Sequence, residues 1–220
     1  MRAEDSITVK NCFAAIHNAF RRDIREIDEL AYAAAREGKA PTAVVGRLDA
    51  FMYMLDFHAQ CEDALILPAL ERVAPLLAYP YQADHDEIGV TQESWQRLRE
   101  SPDPLDVARL TAALKEHVLL HLHKEDEQLY PVVDARVSPD EQAHILRDAV
   151  GEVPTDEAAA HSPPVAPYAL GLMDYDDRET MVRWFQQYMP PAIWVQTKVL
   201  IRNAIKADWA ELVRRCPDLR

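Results

Sequence analysis

Residues 57–70 read FHAQCEDALILPAL. Apolar side chains dominate this stretch, yet His58 and Glu62 stand four apart in the middle of it. Four residues make about one helical turn, so an imidazole and a carboxylate leave the same face of an otherwise apolar helix. An ionised carboxylate enclosed among apolar groups is costly unless it is paired or bound to a metal. A second stretch, HLHKEDEQLYP at 121–131, places His121 and Glu125 at the same spacing. The pair at 58 and 62 is therefore read together with the rest of the chain.

The chain has 220 residues, of which 49% are hydrophobic and 28% charged, a globular composition. Only five glycines occur, and Ala, Leu, Glu and Arg dominate, so the chain reads as all-α. A first helix is expected over about 6–37, with Phe13, Ile16, Phe20, Ile24, Ile27 and Leu30 at helical spacing. Gly38 and Pro41 end it and open a second helix over about 42–77, bent near Pro68. A third helix follows over about 81–100, then the SPDP turn at 101–104, then a fourth over about 104–134, bent or ended near Pro131.

Long helices with short connections specify an up-down-up-down four-helix bundle. With a short fifth helix at about 139–150 it forms a domain spanning 1–152. Residues 153–173 read as a Pro-rich linker or wrapping loop, and 174–220 as a C-terminal helical extension broken at Pro190–Pro191. The extension carries Trp184, Trp194 and Trp209, and is expected to pack on the bundle. Two alternatives give its aromatics other work. Trp184, Phe185, Tyr188 and Trp194 would wall a substrate channel, or would build a dimer interface.

The net charge of −13, from 24 Lys and Arg against 37 Asp and Glu, argues against nucleic acid or an anionic membrane as partner. No apolar run approaches the ~18 residues of a membrane-spanning helix, and the N-terminus lacks a signal-peptide core. Cys12, Cys61 and Cys216 are odd in number and widely spaced, with no CxxC, which fits reduced thiols in a cytoplasmic protein. Cys12 and Cys61 read as small buried hydrophobes. Dinucleotide, phosphate-loop and serine-hydrolase motifs do not occur.

Each bundle helix supplies a histidine: His17, His58, His85 and His121. His17 lies about 20 residues before the first connection and His58 about 17 after it; His85 and His121 flank the SPDP turn at similar distances. At 1.5 Å rise per residue each pair falls at one level, so the four histidines meet in one core layer with Glu62 and Glu125. Imidazole with carboxylate suits iron, manganese or zinc, and six donors are too many for one tetrahedral zinc. They suit two ions bridged by carboxylates, as in bundle-core diiron proteins. His123, His144 and His161 fall off this layer and read as surface residues.

HAQCED with ILPAL behind it, DHDEI at 84–88 and HLHKEDEQLYP together resemble the hemerythrin-like, or HHE cation-binding, family over about residues 10–135. The resemblance implies a four-helix bundle with a non-haem centre of two iron ions, oxo- or hydroxo- and carboxylate-bridged. It implies His17, His58, Glu62, His85, His121 and Glu125 as the ligands, with Glu62 and Glu125 bridging. The oxygen-carrying members have a further histidine four residues after the third-helix one; here that position is Gly89. His117, Asp86 and Glu87 are candidates to fill in or to stand behind the ligands, followed by Tyr53 and Tyr130.

A site with fewer imidazoles and more carboxylate favours turnover. The expected function is an oxidoreductase-like diiron protein that activates or detoxifies O2, peroxide or NO, with oxidation of a small organic substrate as a sub-case. The alternative is a non-catalytic O2, NO or iron carrier or sensor.

Overall fold

The structure is a computed structural model and describes residues 7–151 and 165–219. Among these residues every regular element is helical. They run α1 (Val9–Glu37), α2 (Thr42–Cys61), a π-helical turn (Glu62–Ile66), α3 (Leu67–Val73), α4 (Tyr79–Leu98) and α5 (Pro104–Lys124). A second π-helical turn (Glu125–Leu129) leads to α6 (Tyr130–Arg136), α7 (Pro139–Gly151), α8 (Val165–Leu172), α9 (Tyr175–Tyr188), α10 (Pro191–Ala204) and α11 (Trp209–Arg215). No helix among the described residues is long and apolar enough to cross a membrane.

Local chemistry explains the boundaries. Gly38, at φ 61°, closes α1 in the left-handed conformation, with Lys39 N–H donating to Ala34 O at 3.0 Å. Asp103 caps α5 by accepting from Leu105 N at 2.9 Å and Asp106 N at 3.2 Å, with Pro104 at the first helical position.

The chain divides into two compact units, Phe20–Leu129, and Met1–Ala19 with Tyr130–Arg220. Within the first, side-chain contacts set the register. Asp23 accepts from Arg47 at 2.6 Å, and the Phe20 and His58 rings meet at 5.2 Å, so α1 and α2 run antiparallel. Trp95 donates to Asp49 at 2.7 Å while His85 faces Asp63, so α2 and α4 also run antiparallel. His121 faces Asp84 while His117 faces Glu87, giving the same sense for α4 and α5. Arg21 pairs with Asp126 while Asp28 takes Lys115 at 2.6 Å, which closes the ring between α5 and α1. This is the up-down-up-down bundle expected from the loop lengths. Its interior holds Phe20, Ile24, Leu48, Phe51, Trp95, Val107 and Leu114.

The expected bends at Pro68 and Pro131 are realised one turn earlier, as the π-helical turns. Proline removes an N–H and collides with the carbonyl four residues back. The ladder ahead of Pro68 is re-spaced, with Leu67 N–H donating to Glu62 O five residues away. Glu62 to Pro68 and Glu125 to Pro131 are the same step in sequence, so one device occurs twice.

In the second unit, α9 is capped by Asp174, which accepts from Asp176 N and Asp177 N at 2.9 Å each. Trp184 Nε1 donates to Leu146 O at 2.9 Å, joining α9 to α7, and its ring lies 6.1 Å from Phe13 of α1. Asn18 donates to Asp177 at 3.1 Å, a second tie between α1 and α9. The Pro-rich linker expected over 153–173 lies outside the described residues up to 164, together with His161, and residues 165–172 form α8 instead. Pro167 sits in the first turn of α8, where its missing N–H has no helical partner to lose. The tail beyond it carries a further helix, α11, past the two expected.

Candidate metal centre

Both π-helical turns begin on a glutamate of the candidate site. Each turn leaves a wide, re-aimed stretch of backbone behind an inward-facing carboxylate, an arrangement common at functional positions. Glu62 and Glu125 are both fully buried, at 0% exposure.

Glu62, His85, His121 and Glu125 each offer one ligand atom, and these atoms all lie within 4.8 Å of one another. His85 Nε2 stands 3.4 Å from Glu62 Oε2 and 3.8 Å from Glu125 Oε1. His121 Nε2 is 3.3 Å from Glu125 Oε1, and His58 Nε2 is 3.4 Å from Glu62 Oε2. These separations exceed an ordinary N–H···O bond. Metal–ligand bonds of about 2.1 Å at right angles put neighbouring donors about 3 Å apart, so the spacing is that of atoms facing a common cation. His85 Nε2 is buried and makes no aligned hydrogen bond, which fits the same reading.

The far nitrogens explain the aim of the rings. His85 Nδ1 lies 2.9 Å from Asp63 Oδ1, and His121 Nδ1 lies 3.3 Å from Asp84 Oδ2. Lys124 pairs with Asp84 from the other side. Each aspartate neighbours one site residue in sequence and holds the imidazole of another helix. Asp63 follows Glu62 and grips α4; Asp84 precedes His85 and grips α5. Such outer carboxylates fix the tautomer and turn Nε2 inward.

Electrostatics records the crowding of acids. Burial and the neighbouring Glu62 charge push Glu125 well above the ordinary carboxylate range. Burial disfavours the His85 imidazolium, but Glu125, Glu62 and Asp63 outweigh it and push it up to about 11. Burial, with Glu125 and Asp84 nearby, pushes the Tyr81 phenol up to about 12. Enclosed negative charge of this kind favours a bound cation.

His17 is buried in α1, and its Nε2 lies 3.3 Å from the Tyr130 hydroxyl. His117 and Glu87 are largely exposed and face each other at 3.7 Å, outside the cluster of four. Asp86 is exposed and lines a cavity of about 540 Å³ beside the cluster. That cavity is bounded by α2, the first π-helical turn, α4 and α5, and reaches His58, His85 and His121. Gly89 lies in its wall, and a Cβ built there would meet nothing within 4 Å. Trp184 and Phe185 are buried and stacked at 5.5 Å. His123 and His144 are exposed, and Cys12, Cys61 and Cys216 are buried and in no disulfide.

Asp63 and Asp84 escaped the sequence reading. Their only signal was an acidic residue beside each proposed ligand, and exposed helix faces are full of those.

Comparison with known proteins agrees with the geometry. The family model described as hemerythrin HHE cation binding domain matches residues 12–133. A zinc finger protein, BRUTUS-like, of Arabidopsis thaliana is 21% identical over 194 residues. The match covers 84% of this chain and 15% of that protein, so the chain spans a small part of its relative's length. No solved structure matches. A chain whose regular elements are all helical among the described residues, with a buried His and Glu cluster and matched by this model over more than half its length, belongs to the hemerythrin HHE cation-binding family.

Proposed function

We propose that His17, His58, Glu62, His85, His121 and Glu125 hold two iron ions, with Glu62 and Glu125 bridging, and that the centre turns over O2, peroxide or NO. Iron bound there would supply one- and two-electron redox chemistry to a small ligand. The chain's residues do the rest. Asp63 and Asp84 orient the imidazoles, the apolar residues of α1 and α2 exclude bulk water, and Lys124 balances Asp84.

The cavity carries the reading of turnover. It reaches three of the histidines and passes Gly89, where a side chain would narrow it. Access of that size admits a small organic substrate as well as a diatomic gas. Asp56, Asp86 and Glu93 add acidic groups to a wall that also carries Leu55, Ile88 and Val90. Three buried cysteines outside any disulfide fit a reducing compartment such as the cytoplasm.

The test is the optical spectrum of the reduced, iron-loaded protein on exposure to air. Rapid oxidation with no persistent oxygenated species is expected. A long-lived band that bleaches under vacuum would contradict turnover. It would favour the carrier or sensor reading.

A further inference from the structure

Tyr130 follows the second π-helical turn directly and is fully buried, at 0% exposure. Its hydroxyl oxygen lies 3.3 Å from His17 Nε2, with the ring centroids 5.4 Å apart. Phe13 packs on the Tyr130 ring at 5.8 Å and on Trp184 at 6.1 Å. The phenol is therefore held at the imidazole by a row of rings and has little freedom to point elsewhere.

A separation of 3.3 Å is long for a hydrogen bond to nitrogen. It is close to the spacing of about 3 Å between neighbouring donors on one ion. The two descriptions also exclude each other chemically. A neutral imidazole nitrogen accepts a proton through the same lone pair that it gives to a metal. Once His17 binds through Nε2, the phenol can no longer donate to it.

We infer that Tyr130 is itself a metal ligand, bound as a phenolate next to His17. This rests on the reading that His17 holds iron. On binding, the phenol O–H bond breaks, the proton leaves to buffer, and the oxygen pair forms the bond to the ion. No electron changes hands. An anionic oxygen is a hard donor, so it favours the ferric state over the ferrous one and pulls the centre away from reversible gas carriage.

The full chain loaded with ferrous iron and oxidised in air should show the visible charge-transfer band of a ferric phenolate. Resonance Raman excitation in that band should enhance tyrosinate ring modes, which shift when the protein is made with ring-deuterated tyrosine. Tyr130→Phe should lose the band with iron per chain unchanged, and Tyr53→Phe should keep it. A ferric protein without the band, or a band that survives Tyr130→Phe, overturns the assignment and leaves the iron site standing. A chain that takes up no iron overturns both.

Discussion

At the scale of single residues, the centre is built from pairs rather than from ligands alone. His85 leans on Asp63 at 2.9 Å and His121 on Asp84 at 3.3 Å. An imidazole that loses this partner keeps its packing but loses its fixed tautomer. Asp63→Asn and Asp84→Asn should therefore each lower metal affinity by roughly 10- to 100-fold while leaving the helical circular dichroism unchanged. Competition with a chromophoric chelator measures the first, and wild-type affinity in both variants would contradict the role. The inward-facing residues were legible because a His and a Glu one turn apart on an apolar helix are conspicuous. Asp63 and Asp84 were not, because a neighbour in sequence says nothing about which other helix its carboxylate reaches.

At the scale of elements, the helices that carry the site are set by caps and prolines. Asp103 holds the start of α5 through two backbone amides. Asp103→Ala should cost about 1 kcal/mol of stability, read from urea midpoints, with metal content unchanged because His121 and Glu125 lie at the far end. The acidic start of α9 behaves differently. Burial, with Asp174 and Asp176 nearby, lifts Asp177 to about 6 despite the Asn18 hydrogen bond. The folded chain thus holds this proton more tightly than the unfolded one. The stabilisation is complete below the unfolded value of about 3.9 and is lost as pH rises through about 6. Asp177→Asn should therefore stabilise the protein by about 1 kcal/mol above pH ~7, allowing for partial solvent screening, with no gain near pH ~4. Thermal melts at the two pH values decide it; an equal gain at both would contradict the sign.

The same scale shows where sequence reading stops. Helix lengths and short loops specified the antiparallel ring, and contacts such as Asp23–Arg47 and Lys115–Asp28 agree with it. Pro68 and Pro131 signalled a break but not its kind. The repeated step from glutamate to proline was visible in the sequence and marks both π-helical turns. In α8, prolines suggested a linker, because a proline in a first helical turn looks the same in sequence as one in a loop.

At the scale of the whole molecule, the C-terminal helices belong with the start of the chain. Phe13 meets Trp184, Asn18 meets Asp177, and residues 1–19 cluster with 130–220. A chain cut after Gly151 loses those partners. Amide exchange should then quicken across Val9–Ala19, the stretch that carries His17, far more than across Thr42–Cys61. Equal protection in both would show that the tail is dispensable to α1. The net charge of −13 includes carboxylates at the surface and others, Glu62 and Glu125 among them, in the core. On the proposed reading, the two buried glutamates require a cation.

Metal analysis of the purified chain tests that requirement most directly, with Glu62→Gln/Glu125→Gln prepared beside it. About two iron ions per wild-type chain, and loss of most of that iron in the double variant with the helical fold retained, is the expected result. One zinc and no iron in the wild type, or undiminished iron in the double variant, would contradict it.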